Sequence, residues 1–432
     1  MRRFGGRALR FALPTAGALL SVVTVAADAD PIRVTDDGFF NYQPSLLEAA
    51  SGDLFIAYER LSASLIGDIF LTRSTDGGST WSDPVPIVTG SANERHPALV
   101  QLDDGTFQLY YLSNEGGGYR IRSATSPDAV EWTLRGVVEL GWSTESLVNP
   151  TVCVESDGSL TMTYDYLSHG GYIAHSADGV AWDQDRMQVS TGPINRVMRH
   201  SDGTYVVSYQ KQVGTTTQID IFTRTSVDRA TWSPEVRVTT VQNCHDSFPL
   251  ELADGDYRIF YAVSLGGPYD LYSQTSPDGG AWSGEENWFP YAGWDTQPHP
   301  ILLSSGEVAL AWARGPVQTG TDVYFAVIRD PAAVGDPGDT PGTGPGSTTP
   351  GVVPGGAPGG GEGDIGLFAS PNPFGDETHL TWSAPGSVVP GMSVFDALGR
   401  RIATLTASPG AESVVGTGAT TTGVGWLQAR TG

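Results

Sequence analysis

The sequence predicts an all-β fold made of six look-alike four-stranded sheets, and three observations carry that prediction. The composition is turn-rich: of 432 residues 55 are glycine and 29 proline, aromatics make up 10%, and no long amphipathic helical pattern appears. A D-G or S-G turn followed at a fixed distance by an aromatic recurs six times. A serine–aspartate–tryptophan motif recurs five times at a period of about fifty residues, the size of a structural repeat.

The six turns read SGDLFIAY, DGTFQLYY, DGSLTMTY, DGTYVVSY, DGDYRIFY and SGEVALAW, with glycines at 52, 105, 158, 203, 255 and 306. Six residues after each glycine stands Tyr58, Tyr111, Tyr164, Tyr209, Tyr261 or Trp312, and eight before it Pro44, Pro97, Pro150, Asn195, Ser247 or Pro298. Each repeat therefore reads as a strand, a tight turn and a second strand with alternating apolar residues. A third strand leads into the serine motif and a fourth, such as VPIV or VRVT, follows it. Four antiparallel strands repeated radially are a β-propeller blade, so residues 30–330 are expected to form a six-bladed β-propeller.

The sixth repeat has a third strand, TDVYFAVI (321–328), but nothing after it that reads as a fourth. PIRVTDDGFFNYQPSL (31–46) matches the fourth-to-first-strand passage EVRVTTVQNCHDSFPL (235–250). The N-terminal strand is thus expected to complete the last blade, with residues near 33 against residues near 325, leaving no exposed sheet edge at the seam.

The motifs are STDGGSTW (74–81), SPDAVEW (126–132), SADGVAW (176–182), SVDRATW (226–232) and SPDGGAW (276–282). Serine and aspartate, Ser126 and Asp128 for example, suit acceptance of backbone N–H bonds across a tight turn. Gly77, Gly179 and Gly279 fit a positive-φ position, and the tryptophans are expected to pack at the blade periphery. Five equivalent copies point to a fold-stabilising turn rather than to five sugar sites. They match the Asp-box pattern. With six blades, residues 31–330 resemble the sialidase superfamily of Asp-box propellers.

That resemblance implies a glycan ligand on the face opposite the motif turns, around the axis. Strand alternation assigns to that face the entries into the first strands and the loops between second and third strands. The entry column reads Gln43, His96, Asn149, Ile194, Asp246, Gln297, with Tyr42, Arg95, Arg196 and His299 nearby. Beyond the second strands stand Glu59, Arg60, Asp165 and Arg314. Polar residues that vary where the scaffold repeats predict a ligand cleft. Tyr42, Arg60, Arg95, His96, Asn149, Arg196, Gln297, His299 and Arg314 are the substrate-binding candidates, and Glu59, Asp165 and Asp246 the catalytic ones.

The resemblance further implies a clamp of three arginines on a substrate carboxylate, for which planar bidentate donors are suited. It also implies a tyrosine nucleophile and an acid/base aspartate. Tyr42 stands where the first arginine of that pattern is expected, Arg60 matches the second, and the loop due to carry the aspartate, LSASLIG (61–67), holds no carboxylate. Two functions of different class fit: a sialidase-like exo-glycoside hydrolase, or a non-catalytic glycan- or protein-binding propeller. Hydrolysis calls for two carboxylates at glycosidase spacing around the cleft; binding calls for a polar face without such a pair.

The formal charge is -24, and every basic residue except Lys211 is an arginine. Such a surface repels phosphate backbones, which excludes nucleic acid as the expected partner, and it favours a soluble monomer. No zinc, calcium, nucleotide or nucleophile-elbow motif is present, so no cofactor or metal is expected. Cys153 and Cys244 fall in non-adjacent repeats and read as small buried apolar residues rather than a disulfide.

The first 29 residues, basic MRRFGGRALR, apolar FALPTAGALLSVVTVA and small AADA, read as a secretory signal cut after Ala26 or Ala29. That predicts a secreted or surface-displayed bacterial protein with no membrane span after cleavage. Residues 331–364 are a Pro/Gly-rich linker, and 365–432 alternate strands with turn residues as a small β-sandwich. The PNPF entry (371–374), the FDALGRR turn (395–401) and the final strand resemble the FlgD-like immunoglobulin-type module of exported bacterial proteins.

Overall fold

The computed structural model describes residues 30–328, apart from 144, 168, 241, 242, 265 and 266, together with six strands in the C-terminal region. The signal segment, the linker and the PNPF and FDALGRR turns lie outside the described residues.

Six four-stranded antiparallel sheets follow one another along the chain, and five keep sequence order from axis to rim. Blade 1 runs Phe40–Glu48, Leu54–Leu61, Gly67–Ser74, Val85–Val88, and blade 2 Glu94–Gln101, Phe107–Ser113, Arg120–Ser126, Thr133–Val137. Blade 3 is Leu147–Val154, Leu160–Tyr166, Gly170–Ser176, Met187–Gln188. Blade 4 is Arg196–Arg199, Tyr205–Gln212, Ile219–Ser226, Val236–Arg237. Blade 5 is Asn243–Glu251, Tyr257–Ser264, Tyr269–Ser276, Ser283–Trp288. Blade 6 has Trp294–Leu302, Val308–Gly315 and Asp322–Ile328, and takes its fourth strand, Ile32–Arg33, from the other end of the chain. Ile32 lies opposite Phe325 and Arg33 opposite Tyr324. Arg33 also donates to Asp322 Oδ2 from Nε (3.1 Å) and Nη2 (2.6 Å).

The glycine column has a backbone cause. All six glycines sit at φ between 82° and 93° in the turn from first to second strand, a region closed to most side chains. The aromatic column has a packing cause: Tyr58, Tyr111, Tyr164, Tyr209, Tyr261 and Trp312 are at most 2% exposed. Second strands are buried on both faces, so apolar residues collect between neighbouring sheets. Each of the six blade interfaces holds one such cluster among the described residues. The core is thus a ring of interfaces rather than a single centre.

The serine–aspartate turns join third and fourth strands. Asp128 Oδ1 accepts the Val130 and Glu131 N–H groups, both at 2.9 Å, and Ser126 Oγ accepts that of Asp128 at 3.3 Å. The positive-φ position is glycine in three copies, but Ala129 and Arg229 fill it in the other two (φ 62° each). The tryptophans do more than cover the periphery. Trp81 of blade 1 packs edge-on against Phe325 of blade 6 (5.2 Å) and Trp182 of blade 3 against Tyr110 of blade 2 (5.5 Å). Each turn therefore bolts its blade to the preceding one.

Residues Thr340–Gly432 form a separate unit. Its described strands make two three-stranded antiparallel sheets. One holds Gly366–Ser370, Glu377–Ser383 and Ser413–Gly416, and the other Arg401–Thr406, Gly391–Phe395 and Trp426–Arg430. Cys153 and Cys244 are both free thiols.

Candidate functional site

The entry column is a column of backbone distortion. Gln43, His96, Asn149, Ile194, Asp246 and Gln297 all adopt left-handed φ, between 50° and 58°. The ladder between first and second strands slips at the same place in five blades, for instance between Tyr42 and Ser45 and between His245 and Phe248. In blade 4 the ladder begins just after it, at Arg196 opposite Ser208. Such bulges re-aim side chains, and left-handed φ at a β-branched residue such as Ile194 is strained. Six repeats of the strain make it a property of the scaffold.

A bulge frees a backbone N–H, and the preceding blade supplies the acceptor. The residue following the aromatic column does this in three blades: Glu59 Oε2 accepts His96 N (3.0 Å), Asp165 Oδ2 accepts Ile194 N (2.7 Å), and Gln210 Oε1 accepts Asp246 N (3.1 Å). Glu59 is fully buried and also binds Arg95 through Nε at 3.0 Å and Nη2 at 2.7 Å. Asp165 takes amide N–H groups from Asn149 and Asn195, both at 2.6 Å, and burial raises its pKa. Two of the three catalytic candidates are thus saturated by the scaffold. The third is not.

Asp246 lines a cavity of about 300 Å³ that runs along the axis, floored and walled by the first strands of all six blades. Gln43, His96 and Gln297 share its mouth; Ser45, Thr151, Arg196, Phe248 and His299 line it one step deeper; Leu47, Val100, Met198 and Leu250 line it deeper still. Desolvation raises the Asp246 pKa to about 6, against the pull of the Arg196 charge and a hydrogen bond with Gln297. Tyr42 accepts a bond from Gln297 Nε2 (3.3 Å), and burial together with the Asp246 charge keeps its phenol protonated. Burial lowers the pKa of His96 to about 4 and that of His299 to about 3, the Arg196 charge adding to both. Both rings are therefore neutral, and His299 Nδ1 accepts the Leu46 N–H at 3.2 Å.

The four candidate arginines separate. Arg60 pairs with Asp37, donates to Tyr58 Oη (2.9 Å) and stacks over Phe70 (3.8 Å). Arg314 is held by Asp295 (2.7 and 2.8 Å) and the Phe289 carbonyl (2.5 Å). Arg95 belongs to Glu59. Arg196 alone lines the cavity, donating from Nη1 to Thr151 Oγ1 at 3.0 Å, with no carboxylate within ion-pair distance among the described residues. Sequence reasoning placed the entry column but missed Gln210, Phe248 and Thr151. Only the ruler that aligns Gln210 with Glu59 and Asp165 could have flagged it.

Fold and site together define an all-β six-bladed propeller with a polar axial mouth on the face away from the serine–aspartate turns. Three solved structures of similar shape illustrate the class. A Dyadobacter fermentans protein of unknown function is 16% identical, with TM-score 0.59 over 70% of this chain and 99% of that one. A Hadza microbial sialidase is 18% identical (TM-score 0.57; 68% and 66% covered). A Penicillium chrysogenum α-L-arabinanase complexed with arabinobiose is 17% identical (TM-score 0.52; 69% and 97% covered). At such identities the likeness is one of fold. No protein-family model matches the chain, and no curated protein does.

Proposed function

We propose that this chain is an exported bacterial glycan-recognising propeller, closed by its own N-terminal strand, whose axial mouth receives a terminal sugar. The C-terminal unit and the preceding Pro/Gly-rich stretch serve to space or attach it at the surface. One observation carries the reading: a backbone that repeats six times surrounds one cavity with a mixed set of polar side chains, Gln43, His96, Arg196, Asp246 and Gln297 among them. Gln43, neutral His96, Gln297 and the Tyr42 hydroxyl are uncharged donors and acceptors suited to sugar hydroxyls. The structural neighbours that process glycans support the same ligand class.

A second observation favours recognition over hydrolysis. Asp246 is the only carboxylate among the residues lining the cavity, whereas glycosidase chemistry ordinarily uses a pair. The hydrolytic alternative keeps Asp246 as general acid with Tyr42 beside it. A glycan array combined with an aryl-glycoside panel, sialosides and arabinosides included, separates the two on wild type, Gln297→Ala and Asp246→Asn. Saturable binding without turnover, weakened at least tenfold by Gln297→Ala, is expected. Turnover abolished by Asp246→Asn would replace recognition with catalysis, and silence in both assays would remove the glycan reading altogether.

A further inference from the structure

The axial cavity contains a charge that the scaffold leaves open. Arg196 presents a guanidinium with five donors, of which Nη1 engages Thr151 Oγ1, and no carboxylate lies within ion-pair distance among the described residues. Every other candidate arginine on this face is locked to a carboxylate. Arg196 is partly buried with no carboxylate bound to it, and its fork matches a carboxylate in two parallel bonds. One guanidinium balances one negative charge, which favours a monoanion over phosphate or sulfate. Immediately deeper along the axis the lining becomes mainly apolar, with Leu47, Val100, Met198 and Leu250 beside Cys153, and Arg199 follows Met198. Leu47 and Met198 are only partly buried, lying close to the first-to-second-strand turns at the opposite end of the axis.

From this juxtaposition we propose that the axial cavity binds an aliphatic monocarboxylate of a few carbons, its carboxylate on Arg196 and its chain on the Leu47, Val100, Met198 and Leu250 surface. A cavity of about 300 Å³, mostly apolar with Arg196, Asp246 and Arg199 as its charged lining residues, is at the small end of ordinary ligand sites. The proposal does not depend on the mouth binding sugar.

Protonation should be coupled to this binding. The charged and titratable groups around Arg196 are Asp165 from blade 3, Asp246 from blade 5, His96 from blade 2 and His299 from blade 6, while Cys153 and Arg199, the latter paired with Glu155, line the same cavity farther along the axis. Tyr42 and the Glu59–Arg95 pair lie next in line, near Asp246 and His96. Asp165 is tied to Asn149, Ile194 and Asn195, and both imidazoles are neutral, so Asp246 is the anion that competes for Arg196. With the Asp246 pKa at about 6, its protonation frees the guanidinium, and affinity rises as pH falls.

Calorimetric titration of the purified full chain with butyrate, acetate, butanamide and inorganic phosphate at pH 5.5 and 7.5 tests this. Butyrate should bind saturably, more tightly than acetate or phosphate and roughly tenfold more tightly at pH 5.5, while butanamide should not bind. Arg196→Met should abolish the signal, and Asp246→Asn should tighten butyrate at pH 7.5 and flatten its pH dependence. The second variant keeps the test decisive where the first fails to fold. Absence of butyrate binding at pH 5.5, equal affinity for butanamide, or tighter phosphate binding would overturn the proposal. The glycan array reports on the mouth separately, so failure of one reading is distinguishable from failure of the other.

Discussion

Glu59, at the end of the second strand of blade 1, grips Arg95 of blade 2 through two parallel bonds of 3.0 and 2.7 Å and still accepts the His96 N–H. A carboxylate so engaged holds two blades in register at the rim of the axial mouth. Glu59→Gln leaves Arg95 without its counter-charge, and because that side chain is about a quarter exposed the loss is expected at about 2 kcal/mol rather than the larger cost of a fully buried pair. Denaturant unfolding of Glu59→Gln, Arg95→Leu and the double variant gives the coupling. A purely catalytic Glu59 would leave all three midpoints unchanged.

The turn at Gly78 predicts a sharper effect. A Cβ on Gly78 would lie 2.1 Å from Cε1 of Phe325, the ring against which Trp81 packs, and the backbone there has φ +91°. Gly77, one residue earlier at φ +71°, faces open space. Gly77→Ala should therefore cost about 1 kcal/mol, the backbone strain alone, and Gly78→Ala about 3 kcal/mol, because blade 1 must separate from blade 6. Thermal unfolding of the two variants side by side reads the difference. Equal costs would mean the first blade does not dock on the last through this turn.

What the sequence revealed follows from which constraints are local. Gly52 and Tyr58 recur because one turn needs positive φ and one strand is buried on both faces, and both demands act within a single repeat. The bulge at His96 or Ile194 leaves no such mark, because five different residue types fill the same left-handed backbone at its six occurrences. Glu59 and Asp165 read as acids after a strand end, and their partners Arg95 and Ile194 sit in the next blade, where no periodicity links them. Tyr42 and Arg196 were placed near the axis by column alone. That Arg196 enters the cavity while Arg60 folds onto Phe70 depends on side-chain packing across blades.

Asp246 should leave a signature in the pH dependence of stability. Its folded pKa, about 6, lies above that of an unfolded aspartate, so the folded chain holds this proton more tightly. The associated stability is fully present below about pH 4 and is lost as pH rises through about 6. The wild-type minus Asp246→Asn difference should thus change by about 1–3 kcal/mol between pH 4 and 7, with wild type the less stable at pH 7. Asp270, also raised to about 6 by burial, is common to both proteins and cancels in the difference. A difference independent of pH would place Asp246 in water.

His299 works in the opposite direction. Its Nδ1 accepts the Leu46 N–H across the seam between blades 6 and 1, so the ring must be neutral at that atom, and protonation would set a second cation beside Arg196. Burial and the Arg196 charge lower its pKa to about 3, below the unfolded value near 6.5. Stability from the neutral ring is present above pH 6.5 and is lost as pH falls toward 3, which amounts to about 2 kcal/mol at pH 5. His299→Gln can keep the bond to Leu46 N through its amide oxygen and removes the titration. It should match wild type within about 1 kcal/mol at pH 7.5 and exceed it at pH 5, as read from denaturant midpoints. His299→Phe, which fills space but accepts no bond, should be weaker than His299→Gln at both pH values. If wild type and His299→Gln lose stability in parallel on acidification, the imidazole is charged without penalty and the cavity beside Arg196 is open to solvent.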